Sequence, residues 1–566
     1  MESQHSSLTR ITICQATQPR EGKKAFSDMT CKLGSPQATR RTTSKKCDDF
    51  VMDIEEDNKW RKPNGLFDLL RNNTMEFCCS TSLHGLRYIG ENHRHASERI
   101  FWLISFLIST AVVAHFIFKI WIRWNTSPVL VSFADVPTPV WNIPFPAITI
   151  CPQVKVKNTS FSVSSTLLKD NKTDEEREKL LYSRLVCDIE DFESNGNDTV
   201  DNRAIKFIEE VAPEIDEVMF ECYWRGILES CSDIFTSVLT DNGLCYTFNI
   251  LSSTELFNNG TIQREDKHLD HGETSNWSLE GGFPDNKANE AFPRRALDAG
   301  AYSGLTIFIY MENENINPLC SFSIHGVKAL LHNPTDFPNV VNQYFRVPLD
   351  RDVVIGIKPN VMSTSAELRS YPPERRQCFF TTERHLLHFS IYTQENCDSE
   401  CYTNYTLKNC GCVAYYMPRD KNTPICGPGK NQCMKEVLEN YASDDEGLSK
   451  CNCMPACAEI TYDVENSHAK FSWLDTLNAF DKIRGSNQTT TAKEKIARAA
   501  FYYKERQYVT SRRGELYGPA DFLASCGGLL GLYLGFSILS LVEIVYFFTV
   551  RLCYKFQSSE KKHPAP

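Results

Sequence analysis

From Ile100 to Ile122 the chain runs for 23 residues in which only His115 and Lys119 are ionisable. About 20 apolar residues in a helix cross the hydrocarbon core of a bilayer. A helix of that length packed inside a soluble protein would show a polar face, and this run shows none. It is read as a transmembrane helix. A second apolar run, from Ala524 to Val550, is long enough to cross with some tilt. Nothing between the two is long and apolar enough to be a third span. Two spans put both chain ends on one side. Arg94, His95 and Arg99 precede the first, and Arg551, Lys555, Lys561 and Lys562 follow the second. Basic flanks mark the cytoplasmic side. The expected organisation is therefore a cytoplasmic N-terminus (1–99), a first span (100–122), an extracellular domain (123–522), a second span (523–550) and a cytoplasmic tail (551–566), in a multi-pass protein of the plasma membrane.

The cysteines bear on this organisation separately. Of the 23, five (Cys14, Cys31, Cys47, Cys78, Cys79) precede the first span and two (Cys526, Cys553) lie within or beyond the second, which leaves sixteen in the loop. An even number in an oxidising compartment points to complete pairing. Nine of them crowd between Cys397 and Cys457. Such spacing could hold zinc, but no histidine stands among them, and extracellular thiolates oxidise. They are read as disulfides stapling a helical hairpin, with no metal and no cofactor. Sequons at Asn158, Asn171, Asn197, Asn259, Asn276, Asn404 and Asn487 also fall in the loop. Strand-like runs at 145–150, 244–250, 304–310 and 352–357, with helical patterns near 174–186 and 203–211, indicate a mixed α/β ectodomain built on a central sheet. A net charge of −10, with no basic stripe beyond the first hundred residues, argues against a nucleic-acid partner. Neither HExxH nor GxSxG occurs, so no enzyme is indicated.

The second span is more than an anchor. Gly527, Gly531 and Gly535 recur every fourth residue, the pattern of close helix approach. Gly535-Phe536-Ser537 places small residues in mid-span, where glycine permits non-helical backbone whose freed groups need a partner, a passing cation being one candidate. Glu543 is an acid within the membrane, which should face water or a partner charge. A ring of such acids would attract cations, and one helix cannot enclose a pore, so this reading requires an oligomer.

These segments carry a resemblance. Leu83-His84-Gly85, FPAITICP (145–152), GLCYTFN (243–249), LHNPTDFP (331–338), YTQENCDSEC (392–401), NCGC (409–412), CNCMPAC (451–457) and GGLLGLYLGFSILSLVEI (527–544) occur in the order found in the degenerin, epithelial sodium channel and acid-sensing ion channel family. The chain is similar to that family from about residue 65 to 550, and its Gly-Phe-Ser triplet resembles the insect pickpocket branch.

The resemblance implies an α+β membrane protein: a clenched-hand ectodomain of palm, β-ball, knuckle, finger and thumb between two helices, assembled as a homo- or heterotrimer with related subunits. The implied function is a sodium-permeable, amiloride-sensitive cation channel subunit. Its selectivity filter falls on Gly535, Phe536 and Ser537, its pore acid on Glu543, its amiloride position on Gly531, its degenerin position on Ala524 and its gating motif on His84 and Gly85. Phe536 replaces the small residue usual there and is expected to point away from the ion path. The implied disulfides are Cys151–Cys245, Cys222–Cys231, Cys378–Cys457, Cys397–Cys453, Cys401–Cys451, Cys410–Cys433 and Cys412–Cys426, and the two cysteines left over, Cys187 and Cys320, are expected to pair. Met434 and Leu438 stand where acid-sensing relatives carry acids, and no Arg-x-x-Arg occurs between 125 and 520, so a mechanical, osmotic or chemical stimulus, including an extracellular ligand, is favoured over protons or cleavage. The alternatives are an auxiliary subunit of a heteromeric channel and a non-conducting two-span surface receptor.

Overall fold

The computed structural model of the chain describes residues 66–555 apart from 92–93, 127–128, 188–198, 264–274, 276, 285–290, 322–323, 342, 444–450 and most of 474–493. Asn197, Asn276 and Asn487 lie outside the described residues, as do the cysteines before Cys78. The chain divides into two units, one of residues 1–116 with 526–566 and one of residues 117–525.

The apolar run at 100–122 sits within a 31-residue helix, Ala96–Thr126. At 1.5 Å per residue this is about 46 Å, enough for the hydrocarbon core and both interfaces. The second span departs from a single helix over 523–550. It opens earlier, at Pro519, runs to Leu534, breaks over Gly535–Ser537, and resumes as Ile538–Val545 with a π-helical turn, Tyr546–Arg551. The two halves are bent by 72°. Among the described residues, one helix is thus long and apolar enough to cross a bilayer, and the bent pair makes a second when taken as one span.

In the larger unit, alternation of apolar residues builds the central sheet. Leu305–Glu312 buries every second side chain, as a strand with one face in the core must. It lies between Glu494–Tyr503 and Met219–Trp224, antiparallel to both. The fourteen-residue strand Arg351–Thr364 runs parallel to Glu494–Tyr503 and to Ser511–Glu515, and antiparallel to Glu459–Lys470. Val129–Phe133, which begins three residues after the first-span helix, closes the sheet against Ser511–Glu515. A second sheet of five strands has Ala147–Pro152 at its centre, and all six residues of that strand are buried. Phe145, Trp224, Phe248 and Tyr503 meet edge-on or tilted where the two sheets share a core, with centroids 5.0 to 6.2 Å apart. Such pairs add to the burial of their large apolar area.

The cysteine-dense region folds as two helices, Gln394–Cys410 and Asn431–Ser443. Thr393 caps the first, its hydroxyl accepting from Asn396 N, and Gly411, at φ 75°, ends it in the left-handed conformation that glycine tolerates. Cys397 and Cys401, one turn apart on that helix, join Cys453 and Cys451. Cys410–Cys433 and Cys412–Cys426 tie the hairpin, and Cys378–Cys457 ties its base. Cys151–Cys245 links two strands of the second sheet, Cys222–Cys231 closes a short loop, and Cys187–Cys320 crosses the apolar cluster around Phe161, Phe207 and Ile208. Cross-links of this kind typically contribute about 2–4 kcal/mol each by restricting the unfolded chain.

The top of the first-span helix is fixed within the larger unit by aromatic contacts. Trp124 stacks on Phe522 at 5.1 Å and donates from Nε1 to Tyr517 O at 3.0 Å. The Arg375 guanidinium lies over the rings of both Trp124 (4.9 Å) and Tyr371 (4.3 Å) and donates to Trp124 O at 3.1 Å. Its neighbour Arg376 is buried, bonded to Tyr371 O and Cys378 O and paired with Glu383. The base of the disulfide-braced hairpin is therefore joined to the last turn of the span.

Candidate ion pathway

The break in the second span is built by three residues with separate jobs. Gly535 turns the chain at φ 67°, a conformation costing an L-residue about 1–2 kcal/mol. Its N–H still reaches Gly531 O (3.0 Å), and Phe536 N reaches back to Leu530 O (3.2 Å), so the upper helix ends with its last carbonyls partly satisfied. Ser537 starts the lower helix as its cap. Its hydroxyl accepts from Ser540 N at 3.2 Å, while its own N–H donates to Ser540 Oγ at 3.1 Å. A break that ends one helix and caps the next leaves few orphaned polar groups in the span.

The segment before the first span packs along this lower half. His84 N donates to Leu534 O at 2.9 Å, and a Cβ on Gly535 would stand 2.8 Å from His84 Cδ2 and Nε2. Gly85, at φ 84°, turns the chain away from this contact. About two turns further along, the Glu543 carboxylate accepts from Thr81 Oγ1 and Ser82 N, both at 3.3 Å, and Ser82 Oγ meets Ser540 Oγ at 2.8 Å. Lower still, Asn73 Nδ2 donates to Phe547 O (2.7 Å) within the π-helical turn, Phe77 packs edge-on against Phe547 and Phe548, and Glu76 pairs with Arg551 and Lys555. Glu543 thus meets hydroxyls and an amide of its own chain, where sequence reasoning looked for water or a partner charge. Thr81, Ser82, Asn73, Glu76 and Ser540 were missed. The hydroxyl pair just ahead of His84-Gly85 was the available signal.

Of the remaining sequence-derived positions, Ala524 is exposed and Gly531 half-buried on the upper helix, and Phe536 is half-buried at the break. Asn158, Asn171, Asn259 and Asn404 lie in the larger unit. Among the described residues no group of three or more His, Cys, Asp or Glu could hold a metal ion.

The sequence pattern of the family described as "Amiloride-sensitive sodium channel" matches residues 77–547, which takes in the turn at Thr81–Gly85, the disulfide-rich domain and the broken span. The chain is 31% identical over 497 residues to Pickpocket protein 28 of Drosophila melanogaster, covering 85% of this chain and 79% of that one. It is 24% identical over 495 residues to the Sodium channel protein Nach of the same fly (85% and 88% covered), and 24% identical over 490 residues to Acid-sensing ion channel 1 of Gallus gallus (83% and 82%). The chain belongs to the amiloride-sensitive sodium channel family. It is a cation channel subunit of the plasma membrane, not an enzyme, with two spans about a disulfide-rich extracellular domain, and it stands with the pickpocket proteins within that family.

Outside the spans, the LHNPTDFP segment holds two groups displaced from their ordinary titration. His332 bridges Thr149 Oγ1 (2.9 Å) and Asn333 O (3.0 Å), and burial pushes its imidazole down to about 4. Burial pushes the Asp336 carboxyl up to about 7, with Glu395 and Glu459 adding to the rise, and Asp398 is pushed up to about 6 by burial and by Glu395. The two aspartates stabilise the fold when protonated. Their contribution is full below the ordinary value of 3.8 and is lost as pH rises through about 6 and 7. His332 acts oppositely: its contribution is present above 6.5 and is lost as pH falls toward about 4. The melting temperature of the detergent-solubilised protein should therefore rise on acidification through about pH 7 as Asp336 takes up its proton, level off near about pH 6.5 to 6 where the His332 loss offsets that gain, and rise again below about pH 6 as Asp398 joins. Asp336→Asn should flatten the alkaline limb, and an unaltered profile in that variant would contradict this assignment.

Proposed function

We propose that the chain is one subunit of a trimeric, sodium-permeable channel blocked by amiloride, with both termini cytoplasmic, and that it serves sensory transduction of a mechanical, osmotic or chemical stimulus. The observation that carries this reading is the interruption at Gly535–Ser537 in an otherwise apolar helix, braced from inside by His84. A membrane anchor gains nothing from such a break, whereas a pore needs backbone and hydroxyl oxygens facing ions at one level. On this reading Gly535, Phe536 and Ser537 form the selectivity belt, Gly531 above it meets amiloride, Glu543 below it supplies negative charge, and His84-Gly85 governs opening. Partner subunits of the same family complete the ring.

Expression in oocytes, alone and with related subunits, tests this through sodium current, amiloride block and shifts in reversal potential during swelling, stretch and ligand application. Silence at the surface in every combination would overturn it in favour of a non-conducting receptor.

Ala524 supplies a sharper test. It is exposed within its own chain, so a larger side chain there meets no intrachain clash. Any effect of bulk must come from neighbouring subunits closing on the upper helix. Overpacking of about 1–3 kcal/mol in a closed ring would raise the open-to-closed ratio by about 5-fold to 150-fold. Ala524→Val is therefore expected to give standing amiloride-blocked current without a stimulus. Unchanged current from channels counted at the surface would argue against the assignment.

A further inference from the structure

We infer that Glu543 is a latch for the turn before the first span, and that Thr81 and Ser82 are the positioning residues that hold it. The inference deepens the channel reading above and rests on it. Three donors, Thr81 Oγ1, Ser82 N and Ser82 Oγ, converge on one carboxylate oxygen, Oε2, at 3.3 to 3.5 Å. Ser540, one turn before Glu543, joins the same group through Ser82 Oγ at 2.8 Å and is itself fully buried. Thr81 Oγ1 also accepts from Leu83 N at 3.4 Å, which folds the backbone so that His84 N meets Leu534 O.

The chain of bonds therefore runs from Glu543, through the hydroxyl turn and His84, to the carbonyl that ends the upper helix. Ser540 closes a second path, since it also binds Ser537 at the start of the lower helix. Both sides of the break are thus held by one hydroxyl cluster whose anchor is a carboxylate. At 3.3 to 3.5 Å the three bonds to Oε2 are each long, so the hold comes from their number together with the shorter 2.8 Å bond between Ser82 and Ser540. An acid that served only as a charge in the permeation path would have no need of three donors from its own chain. All three bonds fall on Oε2, which leaves Oε1 as the oxygen able to face ions.

A latch needs an acceptor, while a charge ring needs a charge, and glutamine separates the two. In the channel expressed with whatever partner it requires, Glu543→Gln should keep the open probability within about twofold, because the amide oxygen accepts the same bonds, while its single-channel conductance falls with the lost charge. Glu543→Ala should lower the open probability by about tenfold, the summed effect of losing three hydrogen bonds, and Thr81→Val with Ser82→Ala should do the same. The reversal potential in mixed sodium and potassium should shift in the hydroxyl double variant, which loosens the break while leaving the charge at Glu543 in place. If Glu543→Gln lowers the open probability as far as Glu543→Ala, or the hydroxyl double variant opens normally, Glu543 acts only as a charge and the latch is overturned.

A readout that needs no current protects the test from a silent channel. Ser82→Cys with Ser540→Cys, in full-length protein in membranes with Cys78 and Cys79 changed to Ser, should cross-link under mild oxidation. Failure to cross-link overturns the latch. Cross-linking in a protein that never conducts supports the latch and counts against the channel reading.

Discussion

Alanine at position 535 is expected to cut sodium current per surface channel by about tenfold to a hundredfold, from the summed loss of about 1–2 kcal/mol of left-handed backbone and the contact with His84. The backbone part cannot be escaped, because Gly535 sits at φ 67° where the upper helix ends. The contact part arises because the new Cβ would lie 2.8 Å from the His84 ring, whose backbone is held by Leu534 O. The ring can turn to relieve the contact, so His84→Ala combined with Gly535→Ala should lose less than the two changes added together. Gly531→Ala is the control. A Cβ there meets only Phe536 O, at 3.8 Å, an ordinary contact, so gating should change little and any effect should appear in amiloride block. Current measured against surface biotinylation decides the matter. A Gly535→Ala channel that conducts normally would mean that the break is not part of the conducting state.

The second large effect is expected at the top of the first span. Arg375 is held between two aromatic rings and bonded to the carbonyl of Trp124, so it joins the base of the disulfide-braced hairpin to the helix that enters the membrane. A desolvated cation over aromatic rings contributes about 2 kcal/mol, and its hydrogen bond about 1 kcal/mol more. Arg375→Ala should therefore lower stimulus-evoked current by more than about tenfold while the protein still reaches the surface. Lysine should not rescue it, because a compact ammonium cannot stack between rings while reaching the carbonyl. The standing current of Ala524→Val should survive Arg375→Ala, since that change acts below the joint. Loss of both currents would point to misfolding of the joint and not to lost coupling.

The two spans differ in how much of them was legible. Ile100–Ile122 is uniformly apolar, and the helix follows from composition alone, with its ends a turn further out than hydropathy shows because Ser97, Glu98, Arg123 and Trp124 are content at an interface. The second span was legible as apolar and as glycine-marked at 535, but its division into two helices bent by 72° was not. A break in a helix needs substitute partners for its freed groups. Here these come from Ser540 on the next turn and from His84, some 450 residues earlier in the chain. Hydropathy along one segment holds no information about a partner that distant. The ectodomain strands were legible wherever one face is buried, as in Leu305–Glu312, and the cysteine comb marked the hairpin. Arg375 and Trp124 drew no notice, because an arginine in a polar loop and a tryptophan at a span end are both unremarkable until they are stacked.

What the amino-acid sequence determined by itself was local or additive: an apolar length that must leave water, cysteines concentrated in one oxidised stretch, and glycine where backbone freedom was wanted. Which groups meet was decided by the tertiary structure. The acid at 543 is held by a threonine and a serine more than 450 positions away, and the parallel pairing of Arg351–Thr364 with Glu494–Tyr503 unites strands over 100 residues apart. The physical reason is that hydrogen bonds and ring contacts act over a few ångströms, so their partners are defined only once the chain has closed on itself.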